Sequence, residues 1–265
     1  MIVCFGELLI RLTAPGRELL MQSPNLALYV GGAEANVAIG LANLGHAAAM
    51  VSAVPDNALG RGAVAAVRGQ GVDCAGVQTR SGRMGLYFLS VGAGLRASEI
   101  VYDRAGSSFA GAPAASFDWD TLLVNARLLH LSGITPALGP QSAEAVLSAA
   151  RAAKRLGVPV SFDGNYRAML WESWDSDPRT VLSELISLTD ILLGNHRDIG
   201  LVLGRDFSGD GADRRREAAD ATFAAFPDLK IIASTARHVV DADCHRIAVR
   251  VDTREIGRAS CRERV

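Results

Sequence analysis

The sequence predicts an α/β fold in which a mostly parallel central sheet is covered by helices on both faces and carries a small β-ribbon lid. Three observations predict it. Short β-like runs alternate with amphipathic helical segments along the chain, the pattern that builds parallel sheets from βαβ units. Helical segments stop at a glycine shortly before the next apolar run, as at Gly45 and Gly157. Two stretches, Leu8 to Tyr29 and Gly85 to Arg104, break the alternation with extended residues and no intervening helix.

From the N-terminus, strands are expected at Ile2-Phe5, Ala48-Ala53, Leu128-Leu131, Val158-Phe162, Ile191-Leu193 and Leu229-Ala233, all short apolar runs. The segment Glu34 to Leu44 places Val37, Leu41 and Leu44 on one helical face and ends at Gly45, the residue type favoured just past a helix end. Ser142 to Leu156 repeats small and apolar residues at helical spacing and ends at Gly157. In the second irregular stretch, Leu86-Val91 and Ile100-Tyr102 flank the turn Gly92-Ala93-Gly94, a hairpin signal. An antiparallel flap built this way, over the carboxyl ends of a parallel sheet, covers the crevice where open α/β sheets bind ligands. Its uncovered edges can recruit a second copy, giving a homodimer through the lid.

Composition removes several function classes. A chain of 265 residues with 49% hydrophobic content can bury one sizeable core. A net charge of −1 leaves no electrostatic footprint for nucleic acid or anionic lipid, so small molecules are the expected partners. Ile2-Gly6 lacks the features of a signal peptide. The apolar run from about Ala47 to Val54 is far short of the ~20 residues that span a bilayer. Cys4, Cys74, Cys244 and Cys261 lie far apart without a C-x-x-C pair, which argues against zinc and a disulfide scaffold and for a reducing cytoplasm. Neither Lys154 nor Lys230 follows a glycine, so there is no P-loop. His46, His130, His196, His238 and His245 show no H-E-x-x-H spacing. His130, inside an apolar strand, reads as a satisfied core or near-site histidine rather than a catalytic one, and Asp241 and Asp243 read as a solvated turn.

What remains are polar residues next to chain punctuation. Gly31-Gly32 precedes a helix; it is either a simple turn or a place where backbone closely approaches a polyol, with unpaired N–H donors behind it. Asn36 adds an amide that both donates and accepts. Tyr102-Asp103-Arg104 puts an aromatic and a guanidinium on one extended segment, which either suits an acidic ligand or leaves Arg104 as solvated surface. Asp163-Gly164-Asn165-Tyr166-Arg167 follows a strand, where functional residues collect. Asn195 and Asp198 follow another; they either orient hydrated Mg²⁺ or phosphate oxygens or simply cap a helix.

In order along the chain, Gly6-Glu7-Leu8, Tyr29 to Ala38, Gly85-Leu86-Tyr87, Tyr102 to Ser107, Leu131 to Leu138 and Asp163 to Arg167 resemble the ribokinase-like (pfkB) carbohydrate kinases, and among them the 2-keto-3-deoxygluconate kinases. The resemblance implies a three-layer αβα fold and transfer of the ATP γ-phosphoryl group to a sugar-acid hydroxyl with Mg²⁺. It implies that Gly32 and Asn36 hold sugar hydroxyls, that Tyr87 and Tyr102 line the pocket from the lid, and that Ile134 contacts the ligand. Arg104 and Arg167 would face the acid end, since guanidinium forks bind carboxylate. Asn165, Arg167 and Asn195 would meet ATP phosphates, and Asp198 would hold Mg²⁺ through water.

Departures from the family pattern shape the expectation. Glu34 and Pro55 stand where broader sugar kinases prefer small residues, which shifts weight toward the keto-acid subgroup. The D-x-x-G-A-G-D motif that supplies the family's anion hole and catalytic aspartate does not occur in these residues. Residues from Thr253 onward abandon family likeness and read as a non-native tail, so 1–252 is expected to form an incomplete ribokinase-like domain with little activity of its own. Two alternatives stand beside the keto-acid kinase: a fructokinase or other pfkB sugar kinase, and a non-catalytic module that binds sugar acids.

Overall fold

Strand β1 (Ile2–Phe5) sends its side chains alternately to two separate cores: Val3 and Phe5 enter one, Ile2 and Cys4 the other. A central strand with both faces buried must be covered on both sides, and the architecture follows from that. A computed structural model describes residues 1–94, 96–208, 211–240, 244–254 and 259–264. The two ribbons come first as β2 (Leu9–Thr13) and β3 (Ala27–Gly31). Helix α1 (Ala33–Asn43), β4 (Ala48–Pro55), α2 (Ala58–Gly69) and β5 (Val77–Arg80) follow. Next are β6 (Gly85–Ser90), β7 (Glu99–Asp103), the short α3 (Trp119–Leu122), β8 (Leu128–Ser132) and α4 (Pro140–Leu156). Then come β9 (Val160–Asp163), α5 (Ala168–Trp171), α6 (Pro178–Ser187), β10 (Ile191–Leu193) and α7 (His196–Leu203). Last are α8 (Gly211–Ala225), β11 (Ile231–Val239), β12 (His245–Thr253) and β13 (Ala259–Arg264).

The main sheet has the order β13-β12-β11-β10-β9-β8-β1-β4-β5. It is parallel from β5 to β11 and antiparallel only where β12 and β13 join. The predicted α/β class holds, and all six expected strands form. Leu229-Ala233 begins later and runs much further than its apolar run suggested, because β12 pairs along its whole length from Ile231 to Val239. The segment set apart as a tail is partly incorporated: Thr253 ends β12 and Ala259–Arg264 pairs with its open edge. An exposed row of backbone N–H and C=O groups accepts an extended segment of almost any sequence.

One face of the sheet is covered by α4, whose Val146, Ala149, Ala150 and Ala153 are buried against it. Phe5 sits there with Phe109, Phe117 and Trp119 at ring-centroid distances of 5.4, 5.0 and 4.8 Å. The other face is covered by α1 and α2. In α1 the closest packing is made by Ala35 and Ala38, whereas Leu44, expected on the buried stripe, is 76% exposed as the cap residue. Small side chains let this helix lie close to the strands, so its buried face is not its bulkiest one.

The two ribbons form a four-stranded sheet of order β3-β2-β6-β7. Each ribbon is an antiparallel hairpin, but β2 and β6, the pair that joins them, run parallel. The expected purely antiparallel flap is corrected on that point: the second ribbon enters alongside the first in the same direction. Its turn includes Gly92, Ala93 and Gly94, with Ala93 and Arg96 exchanging backbone hydrogen bonds at 3.0 Å. Asp241 and Asp243 lie outside the described residues. No described helix is long and apolar enough to cross a membrane.

Candidate functional site

Four parallel strands end on a glycine: Gly6 follows β1, Gly133 follows β8, Gly164 follows β9 and Gly194 follows β10. Their N–H groups continue the ladder beyond the strands, donating to Val51, Asp163, Leu193 and Ala233 carbonyls at 3.2, 2.8, 2.8 and 2.9 Å. Without side chains there, the turns that follow crowd together. A Cβ on Gly133 would collide with the Gly164 carbonyl, and one on Gly6 would overlap the Glu34 carboxylate. The register sets Ser132, Asp163 and Leu193 side by side at the carboxyl edge, the place where open α/β sheets bind ligands.

The first group of residues lies where the lid meets α1. Gly32 caps that helix at φ 146°, a conformation suited to glycine, and a Cβ on it would stand 2.5 Å from the Glu7 carbonyl oxygen. Asn36 is one turn on, exposed, its backbone N–H bonded to the Gly32 carbonyl at 2.9 Å. Tyr87 and Tyr102 are directly paired across β6 and β7, with ring centroids 6.3 Å apart. The Tyr87 hydroxyl is 3.6 Å from where a Gly31 Cβ would be. Arg104 follows β7 and places its Cζ 5.9 Å from the Tyr102 ring. It is buried, and its guanidinium is already engaged by Glu7 through Nε at 2.7 Å and Nη2 at 2.6 Å.

Glu34 links this group to the strand ends. Its carboxylate, fully enclosed at the start of α1, accepts from the Thr135 hydroxyl at 2.6 Å. Burial pushes its pKa up to about 7, against the opposing effects of that hydrogen bond and of Arg104. Ile134, also buried, is held in the same turn, where the Ser132 hydroxyl accepts from the Asn165 amide at 3.0 Å. Asn165 has φ 34°, the left-handed region that asparagine tolerates, so the chain doubles back immediately after β9.

The second group surrounds an open cavity of about 630 Å³, within the roughly 300–1,000 Å³ of typical ligand sites. Asn165, Arg167, Asn195 and Asp198 all line it, together with Asp163 and Ser234. Arg167 is exposed and, among the described residues, donates to the Tyr166 carbonyl at 3.0 Å. Asn195 and Asp198 form a reciprocal cap at the start of α7: the Asn195 side chain accepts from the Arg197 N–H, and Asp198 Oδ2 accepts from the Asn195 N–H, both at 2.8 Å. Helix capping is therefore real here, and it coexists with cavity lining. Burial raises the Asp163 carboxyl to about 6, with the Asp198 charge adding to it, and burial also raises Asp198.

The expected residues thus fall into two sets. Gly32, Tyr87, Tyr102 and Arg104 lie at or beside the lid, and Asn165, Arg167, Asn195 and Asp198 share the cavity; Asn36 is on α1 and Ile134 in the turn after β8. Arg167 lines the cavity, and Arg104 is held by Glu7 at the lid. Sequence reading missed Arg11, which stands in register between Tyr29 and Tyr87 on β2. Its Cζ lies 4.5 Å from the Tyr29 ring centroid, and its buried Nε has no hydrogen-bond partner among the described residues. The signal was an arginine inside the apolar run Leu9-Ile10-Arg11-Leu12. His130 lies in the core, its Nδ1 3.3 Å from the Ser161 hydroxyl, and burial pushes its pKa down to about 4.

Comparison with known proteins shows the family and the fold. The family model for pfkB carbohydrate kinases matches residues 1–234. A 2-dehydro-3-deoxygalactonokinase of Haloferax volcanii is 34% identical over 205 residues, 77% of this chain and 64% of that protein. A 2-dehydro-3-deoxygluconokinase of Thermoproteus tenax is 32% identical over 206 residues, 77% of this chain and 62% of that protein. The chain thus spans less than two thirds of the length of these relatives. The crystal structure of a 2-dehydro-3-deoxygluconokinase from Thermotoga maritima superposes with a TM-score of 0.92 at 34% identity, covering 100% of this chain and 80% of that one. Matched by the family model over residues 1–234 and superposing on a solved relative at 34% identity, the chain belongs to the pfkB family of carbohydrate kinases.

Proposed function

We propose that this protein is built to bind a 2-keto-3-deoxy sugar acid, such as 2-keto-3-deoxygluconate, as the acceptor of the ATP γ-phosphoryl group. The observation that carries the reading is the placement of a buried guanidinium, Arg104, near the Tyr102 ring that pairs with Tyr87, and on Glu7, whose backbone carbonyl lies against Gly32. A buried cation beside an aromatic ring favours a carboxylate over a hydroxyl, because charge-assisted hydrogen bonds are the stronger ones. Gly32 and Asn36 then serve sugar hydroxyls, and Ile134 provides an apolar wall. The relatives that share 32–34% identity and bear keto-deoxy-acid kinase names support the same class.

Asn165, Arg167 and Asn195 would meet the ATP phosphates. Mg²⁺, when bound, neutralises phosphate charge. The oxygen donors here suit that hard cation: Asp163 and Asp198 are adjoining carboxylates raised by burial, a cost a cation would relieve. One Asp198 oxygen is committed to the Asn195 N–H, which supports contact through water. Free Cys4, Cys74 and Cys244 support a reducing cytoplasm. Leu28, Ile100 and Val101, exposed at 52, 45 and 48% on the outer lid strands, support pairing of two lids in a homodimer.

A neutral ketose such as fructose is the second reading. One observation favours it, namely that Glu7 already balances the Arg104 charge. Calorimetric titration of the chain with 2-keto-3-deoxygluconate and with fructose decides between them. Arg104→Ala is expected to weaken keto-acid binding about 10- to 150-fold, the value of a charged hydrogen bond of about 1.5–3 kcal/mol, while fructose binding changes little. Equal effects on both ligands would overturn the acid reading.

A further inference from the structure

Glu7 touches no ligand in the reading above, yet its carboxylate ties together several elements at the root of the lid. It lies between β1 and β2 and is 2% exposed. Oε2 takes both Nε and Nη2 of Arg104, at 2.7 and 2.6 Å, and Oε1 accepts from the Ser107 hydroxyl at 2.5 Å. Its backbone carbonyl lies against Gly32, and a Cβ on Gly85, the first residue of β6, would overlap Oε1. One carboxylate therefore joins the end of β1, the start of β6 and the segment after β7. Outside it, Arg83 grips the Asp103 carboxylate with both terminal nitrogens, at 2.6 and 2.5 Å, so the root of the second ribbon is closed from both sides.

The geometry has a consequence for Arg104. A guanidinium is planar with its donors in a fixed fork, and holding Nε and Nη2 on one oxygen sets the plane of the whole group. Nη1 makes no hydrogen bond among the described residues. We infer that Glu7 is a positioning residue for acid recognition: it fixes the Arg104 guanidinium by one side and leaves the Nη1 side to meet the acceptor's carboxylate. The inference rests on the reading that Arg104 faces the acid. Glu7 also balances the buried charge of the guanidinium.

The test is calorimetric titration of the full chain with 2-keto-3-deoxygluconate and, in parallel, with fructose. Glu7→Gln keeps shape and an acceptor but removes the charge that orients Arg104. It is expected to weaken keto-acid binding at least tenfold and fructose binding less than threefold. Gly85→Ala keeps every charge and displaces only the end of the Glu7 side chain. It is expected to give the same selective loss, and it carries the test if Glu7→Gln does not fold. In an Arg104→Ala background, Glu7→Gln should add nothing to the loss of acid affinity. A purely structural role would weaken both ligands alike. If Arg104→Ala is selective for the acid while neither Glu7→Gln nor Gly85→Ala is, the positioning role is wrong and the acid reading survives. If Arg104→Ala is itself unselective, the acid reading fails, and this inference with it.

Discussion

The Glu34 carboxylate fills the space above Gly6 that any side chain there would need. The glycine after β1 and the acid at the start of α1 are thus one feature, a helix set close enough to its strand for a carboxyl to reach across to Thr135. Gly6→Ala is expected to cost about 1–3 kcal/mol of unfolding free energy, the usual penalty of overpacking. In a Glu34→Ala background the same change should cost at least 1 kcal/mol less, roughly the scale of coupling between touching residues. Urea titration of the four proteins checks it, and additive effects would refute the shared space.

Glu34 also makes stability depend on pH. Its folded pKa of about 7 lies above the ordinary 4.5, so between those values the folded state keeps a proton that the unfolded chain has released. Stability therefore falls as pH rises through this window, by up to about 1.4 kcal/mol per pH unit, and the loss is complete above it. Asp163, raised to about 6, acts in the same sense. Glu34→Gln retains the acceptor for Thr135 and isolates the effect: it should match the parent protein near pH 4.5 and exceed it at pH 8. Parallel stability curves for the two proteins across this range would show that Glu34 ionises normally.

Capping and ligand binding can be separated at Asn195. Asn195→Ala removes a cap and is expected to destabilise by about 1 kcal/mol. Asn195→Asp keeps an oxygen acceptor for the Arg197 N–H and should stay within about 0.5 kcal/mol of the parent. It also places a negative charge in the cavity, so binding of a fluorescent ATP analogue should weaken at least tenfold. Unchanged nucleotide affinity in Asn195→Asp would confine this residue to capping.

Gly32→Ala should be harsh for a different reason. Its φ of 146° and the Glu7 carbonyl 2.5 Å from the missing Cβ leave no adjustment short of moving β1 or α1. We expect at least about 2 kcal/mol of lost stability, together with loss of keto-acid binding. Calorimetry at a temperature where the variant is still folded separates the two effects.

Much of the molecule was readable in one dimension. Apolar runs separated by helical spacing and glycine stops located all six expected strands, because a strand buried on both faces has no polar alternation to confuse it. The polar segments after β9 and β10 were legible as following strands, whereas the glycine turns after Phe5 and Ser132 came only from the structure. The pairing that extends β11 was less so, since edge registers are set by the partner strand rather than by local composition. The buried stripe of α1 was misjudged on side-chain bulk, where closeness of approach decided it in favour of Ala35 and Ala38.

The chemistry divides the same way. Residue type and order alone determined the fold class and named candidates for a site, because glycines, amides and guanidinium groups keep their capabilities wherever the chain takes them. Only tertiary structure decided how these groups are held: that Arg104 meets Glu7 from 97 positions away, and that Glu34 meets Thr135 from 101 positions away. Such contacts arise from the crossing of distant strands and depend on burial, which strengthens paired charges and raises lone carboxyls, and neither distance nor burial is written in local sequence.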